Sequence, residues 1–181
     1  MKRFMLVSLL LLVGCTPPSV WVQDKGRLPV TKLNVSVVIP TGWMRLNNDN
    51  YLLLTRDGTL LQSISVNRKA VSSPFQYTKK KLEKGMLPHE VADVIVDNMS
   101  SNQATQNFTL QENTPATIAG EPGFKLVYGY KNRDGVKQKA IFYGFLFNEW
   151  FYEIRYHAAE RYYFQKDIKA FEQFMAEFGK Q

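Results

Sequence analysis

Several stretches of the chain alternate apolar and polar residues, which is the spacing of β-strands with one buried face. In the first of them, Val35, Val37 and Ile39 alternate until a turn begins at Pro40. Asp-Gly pairs at 57–58 and 134–135 are typical of tight hairpin turns. Most strands are therefore expected to pair with their sequence neighbours in antiparallel fashion. The same reasoning predicts further short strands at 51–55, 60–66, 108–111, 116–118, 124–131, 136–147 and 150–157.

A spacing of three and four residues predicts three helices. The first covers 74–85 and the second covers 88–102, with Pro88 in its first turn, where proline is tolerated. The third covers 162–178 and carries an apolar stripe, which needs a surface to cover it, so this helix is expected to pack on a sheet. The stripe consists of Phe164, Ile168, Phe171, Met175 and Phe178.

The predicted strand at 140–147 is apolar on both of its faces. A strand of this kind belongs in the middle of a sheet that is covered on both sides. The neighbouring strand at 150–157 is different, because one face is shared by Trp150, Tyr152, Ile154 and Tyr156. The other face carries Glu153, Arg155 and His157. The fold class predicted from these patterns is α+β, an antiparallel sheet with helices packed on both faces.

The first fifteen residues have the pattern of an export signal. Lys2 and Arg3 precede an apolar run at 4–13, which is too short for a bilayer core that needs about 20 residues. The run ends in Leu12-Val13-Gly14-Cys15, and Cys15 is the only cysteine of the chain. This segment resembles the bacterial lipobox. The resemblance implies that Cys15 becomes the mature N-terminus and carries diacylglycerol and a further acyl chain; an ordinary cleaved secretory peptide is the alternative.

On this interpretation the chain divides into three parts. Residues 1–14 are the lipoprotein signal peptide, 15–31 are the lipidated N-terminus and a tether, and 32–181 are one globular domain. The predicted location is the bacterial cell envelope, with the membrane as a partner through the lipid on Cys15. If the source is Gram-negative, Thr16 in place of an aspartate after the cysteine implies the outer membrane.

Composition narrows the class of protein further. The chain has 181 residues, of which 45% are apolar and 22% charged, as in ordinary globular domains. Its formal net charge is +7. Because an exported protein does not meet nucleic acid, the expected partner is an anionic lipid, a glycan or an envelope protein. A single cysteine excludes an internal disulfide and a cysteine-built metal site, and no cofactor is expected.

Three stretches resemble the PsbP-like α/β/α sandwich, the fold shared with the Mog-type Ran-binding proteins. They are 35–43, with its strand and Pro-Thr-Gly-Trp turn, 117–125, which leads into a strand, and 150–157, which runs into the last helix. The resemblance covers about residues 32–180. It implies an accessory or binding protein that is mostly non-enzymatic, and it carries over no active-site residues.

Two histidine motifs are the candidates for catalysis. His89-Glu90-Val91-Ala92-Asp93 nearly matches the zinc-binding pattern His-Glu-x-x-His, but Asp93 replaces the second histidine. His157 with Glu153 and Glu160 could serve in acid–base catalysis, although a histidine at the rim of a sheet explains the same residues. Neither motif supplies a nucleophile or a complete set of ligands. We therefore predict no metal site, no catalytic residues and no enzymatic activity.

Two other groups of residues are candidates for binding. The first is a basic cluster on the first predicted helix, which either binds an anionic partner or forms a solvated face. The second is the pair Tyr162 and Tyr163, which cannot both face inward together with Phe164, so a surface groove is expected there. The basic cluster consists of Lys79, Lys80, Lys81 and Lys84.

Three functions remain open from the sequence. The favoured one is a membrane-anchored, non-enzymatic binding or accessory module of the envelope. The second is a carrier or sensor of a small apolar or anionic ligand, which a large internal cavity would favour. The third is a hydrolase that uses His157, which a cleft joining His157, Glu153 and Glu160 would favour.

Replacing Cys15 tests the lipid anchor. The Cys15→Ser variant lacks the sulfur to which the lipid would be attached, so we expect it to keep its signal peptide and to lack the mass of the acyl chains. Each buried lipid methylene contributes about 0.8 kcal/mol to membrane binding, so two or three chains would make attachment essentially permanent. Intact-protein mass spectrometry and detergent phase partitioning measure the change. A variant that matures and partitions like the wild type contradicts the lipobox.

Overall fold

The computed structural model describes residues 20–181, so Cys15 and the predicted signal peptide lie outside the described residues. This part of the chain contains eleven strands and two α-helices. In chain order they are β1 (Trp21–Val22), β2 (Arg27–Val30), β3 (Val35–Val38), β4 (Met44–Leu46), β5 (Leu52–Thr55), β6 (Gln62–Ala70), α1 (Pro88–Ser100), β7 (Gln106–Ile118), β8 (Glu121–Lys131), β9 (Lys137–Phe147), β10 (Trp150–Ala159), α2 (Tyr163–Ala176) and β11 (Gly179–Lys180).

The strands form two antiparallel sheets. Eight of them make a large sheet in the order β1-β4-β5-β6-β10-β9-β8-β7, and the other three make a small sheet in the order β11-β3-β2. The antiparallel pairing expected from the hairpin signals is confirmed throughout the large sheet. The strand predicted to be central, β9, lies between β10 and β8, inside the large sheet.

Four strands, β6, β7, β8 and β10, are longer than the sequence predicted, and β6 and β7 differ most. The segments at 108–111 and 116–118 belong to one strand, β7, whose register against β8 shifts between Leu110 and Glu112. β6 continues beyond residue 66 to Ala70, because its last residues pair with the start of β10 and Trp150 lies opposite Ala70. The polar residues in these extensions hide the alternation on which the prediction relied.

The predicted helix at 74–85 is wrong, because these residues form turns and a loop. Lys79 has a φ of 60°, in the left-handed region that a right-handed helix excludes. The loop is closed by hydrogen bonds from the amide of Phe75 to the carbonyl of Lys80, at 2.8 Å, and from the amide of Lys79 to the carbonyl of Phe75, at 3.1 Å. It buries Phe75 and Leu82 beside α1. The other two predicted helices are confirmed as α1 and α2.

The predicted tether at 15–31 also needs correction. Trp21 pairs with Leu46, so β1 forms one edge of the large sheet. β2 pairs with β3 in the small sheet. The ordered domain therefore begins before residue 32. Runs of two and four residues are too short for a hydrophobic period to reveal them.

The core consists of two clusters that share the central strands. In β10, Tyr152, Ile154 and Tyr156 belong to the first cluster and Phe151 belongs to the second, because side chains alternate along a strand. The first cluster includes the buried residues of α2 and β3. The second includes those of α1 and of the 74–85 loop. The predicted separation of the two faces of 150–157 is confirmed.

One buried acid helps to hold α2 on the sheet. Phe164, Phe171 and Phe178 are buried as the stripe predicted, and Phe174 joins them. Asp167 is buried between them, and its carboxylate accepts hydrogen bonds from the guanidinium of Arg56, at 2.9 Å, and the amide of Gln62, at 3.1 Å. A buried carboxylate needs such partners, so these bonds fix α2 to the β5–β6 hairpin. Neither helix among residues 20–181 has the length and apolar character to cross a bilayer.

Removing one aromatic ring from α2 tests this packing. Phe171 is buried and stacks on Tyr156, with ring centroids 5.3 Å apart. We expect Phe171→Ala to lower the free energy of unfolding by about 3–5 kcal/mol, because the surrounding rings cannot close the cavity. Urea denaturation measures the change. Lys169→Ala, at an exposed position of the same helix, is the control, and equal small losses in both variants would contradict the packing.

Candidate functional site

An open pocket of about 560 Å³ lies between α1, the loop at 75–77 and the large sheet. Its floor is apolar and aromatic, formed by the buried side chains of Ile95, Tyr128 and Phe142. Amide and charged side chains surround this floor. They come from α1, the β8–β9 hairpin and β10, and they include Asn98, Asn102, Asn132, Arg133, Glu153 and Arg155.

The pocket exists because α1 covers only part of its face of the sheet. α1 packs on β7, β8 and β9. In β10, the polar residues Glu153, Arg155 and His157 alternate with residues of the first cluster, so their side chains lie on the other face of the sheet, the face on which α1 packs. β10 lies between β9 and β6, next to the strands that α1 covers. The strand therefore places two charged side chains in the wall of an open depression.

Glu153 and Arg155 give the pocket its electrostatic character. Burial raises the pKa of Glu153, and the positive charges of Arg155 and Lys69 partly oppose this rise. Burial also raises the pKa of the Tyr128 hydroxyl, which lies beside the guanidinium of Arg155. Among the described residues, neither Glu153 nor Arg155 forms an ion pair within 4.0 Å. Arg155 is exposed to solvent and lines the pocket.

The structure separates the residues of the predicted acid–base site. His157 is paired across strands with Ser63, and its Nδ1 lies 3.0 Å from the Ser63 hydroxyl oxygen. Burial, together with the positive charge of Arg155, lowers the pKa of His157 to about 4, so the ring is neutral at pH 7. Glu153 lines the 560 Å³ pocket with Arg155, whereas Glu160 lines two other depressions. The cleft that would join His157, Glu153 and Glu160 is not formed.

The predicted basic cluster lies on the 74–85 loop rather than on a helix. Lys79, Lys80, Lys81 and Lys84 are all exposed. Two of them are neutralised, because Lys80 pairs with Asp97 at 2.7 Å and Lys84 pairs with Glu149. The ammonium group of Lys79 donates to the carbonyl of Gln76 at 2.8 Å. The cluster is therefore a weaker anion site than its sequence indicates.

The two predicted tyrosines lie at the opposite end of the sheet from these lysines. Tyr162 is exposed, whereas Tyr163 packs against the first cluster. Their rings meet edge to face with centroids 5.1 Å apart, and the ammonium of Lys166 lies over both. The prediction that they cannot both face inward is confirmed, but the two tyrosines do not line the 560 Å³ pocket.

The histidine of the near-zincin motif lies at the surface of α1. His89 is exposed in the first turn of α1. In the part of the chain that the structure describes, no group of three or more histidine, cysteine, aspartate or glutamate side chains could hold a metal ion.

Sequence reasoning missed the aromatic floor and the amide rim of the pocket. Tyr128 and Tyr130 lie in the predicted strand 124–131, and their alternation with Val127 and Gly129 was visible in the sequence. The pattern did not tell which face would meet α1, and it gave no sign that Asn98 and Asn132 would come together.

Comparisons with known proteins concern the fold alone. No family model matches the chain, and no curated protein matches it in sequence. The solution structure of cyanobacterial PsbP (CyanoP) from Synechocystis sp. PCC 6803 has a TM-score of 0.59 and 14% identity, over 94% of this chain and 99% of that one.

Two further solved structures show the same likeness. LpqN, involved in cell envelope biogenesis of Mycobacterium tuberculosis, has a TM-score of 0.59 and 11% identity, over 80% of this chain and 82% of that one. The Saccharomyces cerevisiae Ran-binding protein Mog1p has a TM-score of 0.56 and 9% identity, over 87% of this chain and 95% of that one. The chain therefore has the PsbP/Mog-type fold that its sequence resembled, built on an antiparallel sheet with two helices.

The Ser63–His157 pair predicts a pH dependence of stability. Unfolded His157 takes up a proton below pH 6.5, whereas the folded protein does so only near pH 4. The unfolded state thus binds more protons between these values, so the free energy of unfolding should fall as the pH is lowered from 6.5 to 4. The loss expected from this group is on the order of 2–3 kcal/mol. Urea denaturation at several pH values measures it.

The His157→Gln variant is the control for this pH dependence. Glutamine keeps a polar partner for Ser63 and does not titrate, so its stability should change less over this range. The pKa of Glu153 is raised, so this residue makes the free energy of unfolding increase as the pH falls, in the wild type and in the variant alike. The difference in free energy of unfolding between the two proteins therefore reports His157 alone. Parallel curves for the two proteins would refute the assignment.

Proposed function

We propose that this protein is a lipid-anchored lipoprotein of the bacterial envelope and a non-enzymatic binding module. Its binding site is the 560 Å³ pocket beside α1, and the group that it recognises carries a negative charge. The fatty acyl chains on Cys15 hold the domain at the membrane. In a Gram-negative source, that membrane is the outer membrane.

The observation that carries this proposal is the exposed Arg155 above an aromatic floor. Its guanidinium lies in a pocket large enough for a small ligand or a segment of a partner protein. No carboxylate among residues 20–181 pairs with it within 4.0 Å. Arginine in such a setting recognises carboxylate and phosphate groups through paired hydrogen bonds.

The architecture supports a rigid site. We infer that α1 and α2 cover opposite faces of the large sheet, since their buried residues belong to clusters that take alternate residues of β10. β10, which carries Glu153 and Arg155, is then held between α2 on one side and the pocket on the other. A site on a central strand is more precise than a site on a loop.

The same pocket serves a second candidate function, the carriage or sensing of a small anionic ligand. Arg155 favours it, because the guanidinium would meet a free anion as readily as an acidic side chain. The openness of the pocket favours the binding module, since a carrier is expected to enclose its cargo. Native mass spectrometry of the protein purified from its own membrane separates the two, because a carrier retains a small molecule of defined mass.

A photo-crosslinking amino acid in the pocket tests the binding module. We place it at Tyr77, which lines the pocket and is exposed, in the full chain expressed in its native envelope. A discrete crosslinked product is expected, and Arg155→Glu should abolish it while Arg155→Lys keeps part of it. The charge reversal replaces attraction of the anionic group with repulsion.

The control for this experiment is the same probe at Glu172, an exposed position on α2. It should give no Arg155-dependent product. If the Tyr77 probe yields the same products in the wild type and in a folded, anchored Arg155→Glu variant, the pocket is not the binding site.

A further inference from the structure

One end of the large sheet brings three connections together. They are the β5–β6 turn, the β8–β9 turn and the link from β10 to α2, and we call this end the sheet tip (residues 57–61, 132–137 and 160–162). The amide of Ala159 donates to the carbonyl of Leu61 at 2.9 Å, and the amide of Glu160 donates to the carbonyl of Lys137 at 3.0 Å. The three connections are therefore fixed beside one another as one surface.

The sheet tip exposes large apolar side chains. Leu60 is 82% exposed, Tyr162 is 61% exposed and Val136 is 45% exposed. Each of these residues comes from a different one of the three connections. Isolated apolar side chains are common on protein surfaces, but three on adjoining turns at one end of a sheet form a patch.

The sheet tip also carries cations without partners. Arg133, Lys137 and Arg161 are exposed, and among residues 20–181 none of them forms an ion pair. The acidic residues of the same connections are Asp57, Asp134 and Glu160. Asp57 is already paired with Lys166 at 2.8 Å and with Arg56 at 3.5 Å. The surface that remains is apolar and net positive, as in proteins that lie at the interface of an anionic membrane.

The N-terminus keeps this surface within reach of a bilayer. Cys15 and Val20 are five residues apart, so an extended segment spans at most about 18 Å. Across the sheet, Val22 pairs with Arg45, Arg45 with Leu54, and Leu54 with Ile64, so Val22 is level with Ile64 of β6. Val20 lies two residues further from the sheet tip than Val22. It is therefore about four residues, or roughly 13 Å, from the start of β6 at the sheet tip. The opposite end of the sheet is about equally close, so the chemistry of the two ends decides which one meets the membrane.

The two ends differ in their exposed apolar side chains. The opposite end exposes Leu87, and two of its four lysines, Lys80 and Lys84, are neutralised by Asp97 and Glu149, which leaves Lys79 and Lys81. We propose that the sheet tip is a membrane-docking surface, on which Leu60, Val136 and Tyr162 enter the interface of a bilayer and the three free cations meet anionic headgroups. This inference rests on the lipid anchor of the proposed function. Arg133 also lines the 560 Å³ pocket, so docking places one wall of that pocket beside the headgroups.

A polarity-sensitive dye tests the docking in the lipidated full chain. The sulfur of Cys15 is bonded to lipid in the mature protein, so a thiol introduced by Leu60→Cys is the only one available to the dye. The protein is reconstituted in phosphatidylcholine vesicles with and without phosphatidylglycerol. We expect a blue shift of the dye emission and its quenching by brominated lipids, both larger when phosphatidylglycerol is present.

The matched control is Leu87→Cys, which carries the dye at the opposite end. Leu87 is 54% exposed, so without docking both dyes are in water, and docking through the sheet tip should move only the Leu60→Cys dye into the bilayer. The dye at this position should stay in water, without shift or quenching. Equal signals from the two positions, or a larger signal from Leu87→Cys, would overturn the docking surface.

Charge reversal supplies a second measurement. Arg133→Glu, Lys137→Glu and Arg161→Glu together should remove the response to phosphatidylglycerol, whereas Lys79→Glu with Lys81→Glu at the opposite end should leave it unchanged. Added salt should weaken the response of the wild type by screening. A response that survives the reversal at the sheet tip contradicts the proposal.

The failure of the docking surface is distinguishable from failure of the anchor. A protein that stays on the vesicles but keeps the Leu60→Cys dye in water disproves the docking surface and leaves the lipoprotein intact. A protein whose mature mass lacks lipid disproves the anchor, and with it the docking surface.

Discussion

The structure depends on burying both faces of the central strand β9. Ile141 and Phe145 of β9 belong to the first core cluster, whereas Ala140 and Phe142 belong to the second. Exposing either face of such a strand to water would be unfavourable, so both faces are covered. α2 and the small sheet contribute to the first cluster, and α1 and the 74–85 loop contribute to the second. Packing is close enough that a Cβ at Gly144 would lie 2.5 Å from the ring of Phe124. The glycine lets that ring lie directly over the strand, and Phe124 then stacks with Phe142 and Phe151.

The candidate site follows from the limited size of the cover on one face. α1 has 13 residues and is therefore about 20 Å long. It packs on β7, β8 and β9. On the same face of the next strand, β10, Phe151 is followed by the polar residues Glu153, Arg155 and His157. Arg155 is tolerated there because solvent reaches it, whereas Glu153 is partly buried and its pKa is raised. The same boundary between covered and open sheet creates a depression with an apolar floor and a charged wall, which is a suitable geometry for recognition.

Ion pairs make the free charge at the two ends of the sheet different from a simple count of basic residues. The lysines of the 74–85 loop are the densest positive charges in the sequence, yet acidic residues of α1 and of the β9–β10 turn neutralise two of them. The cations at the sheet tip are dispersed in the sequence and have no acidic partners among the described residues. An opposite charge within 4 Å cancels most of the field that a distant anion would feel, so the 74–85 loop attracts anions through Lys79 and Lys81 alone.

Local patterns in the sequence determined most of the elements and only part of the site. Alternation and the three-four spacing identified β3, β8, β9, β10, α1 and α2, because each of these elements has a continuous buried face whose period is written in the residues. The sequence also supplied the lipobox resemblance and the polar face of β10 with Glu153 and Arg155.

Tertiary structure decided the rest. The 74–85 segment has apolar and basic residues at helical spacing, but the left-handed backbone at Lys79 makes it a loop, which buries Phe75 and Leu82 in the second cluster. β1 and β2 are strands only because β4 and β3 supply their hydrogen bonds. The ion pairs of Lys80 and Lys84, the cross-strand pairing of His157 with Ser63, and the meeting of α1 with the β8–β9 hairpin all join residues far apart in the chain, and no local period records such contacts.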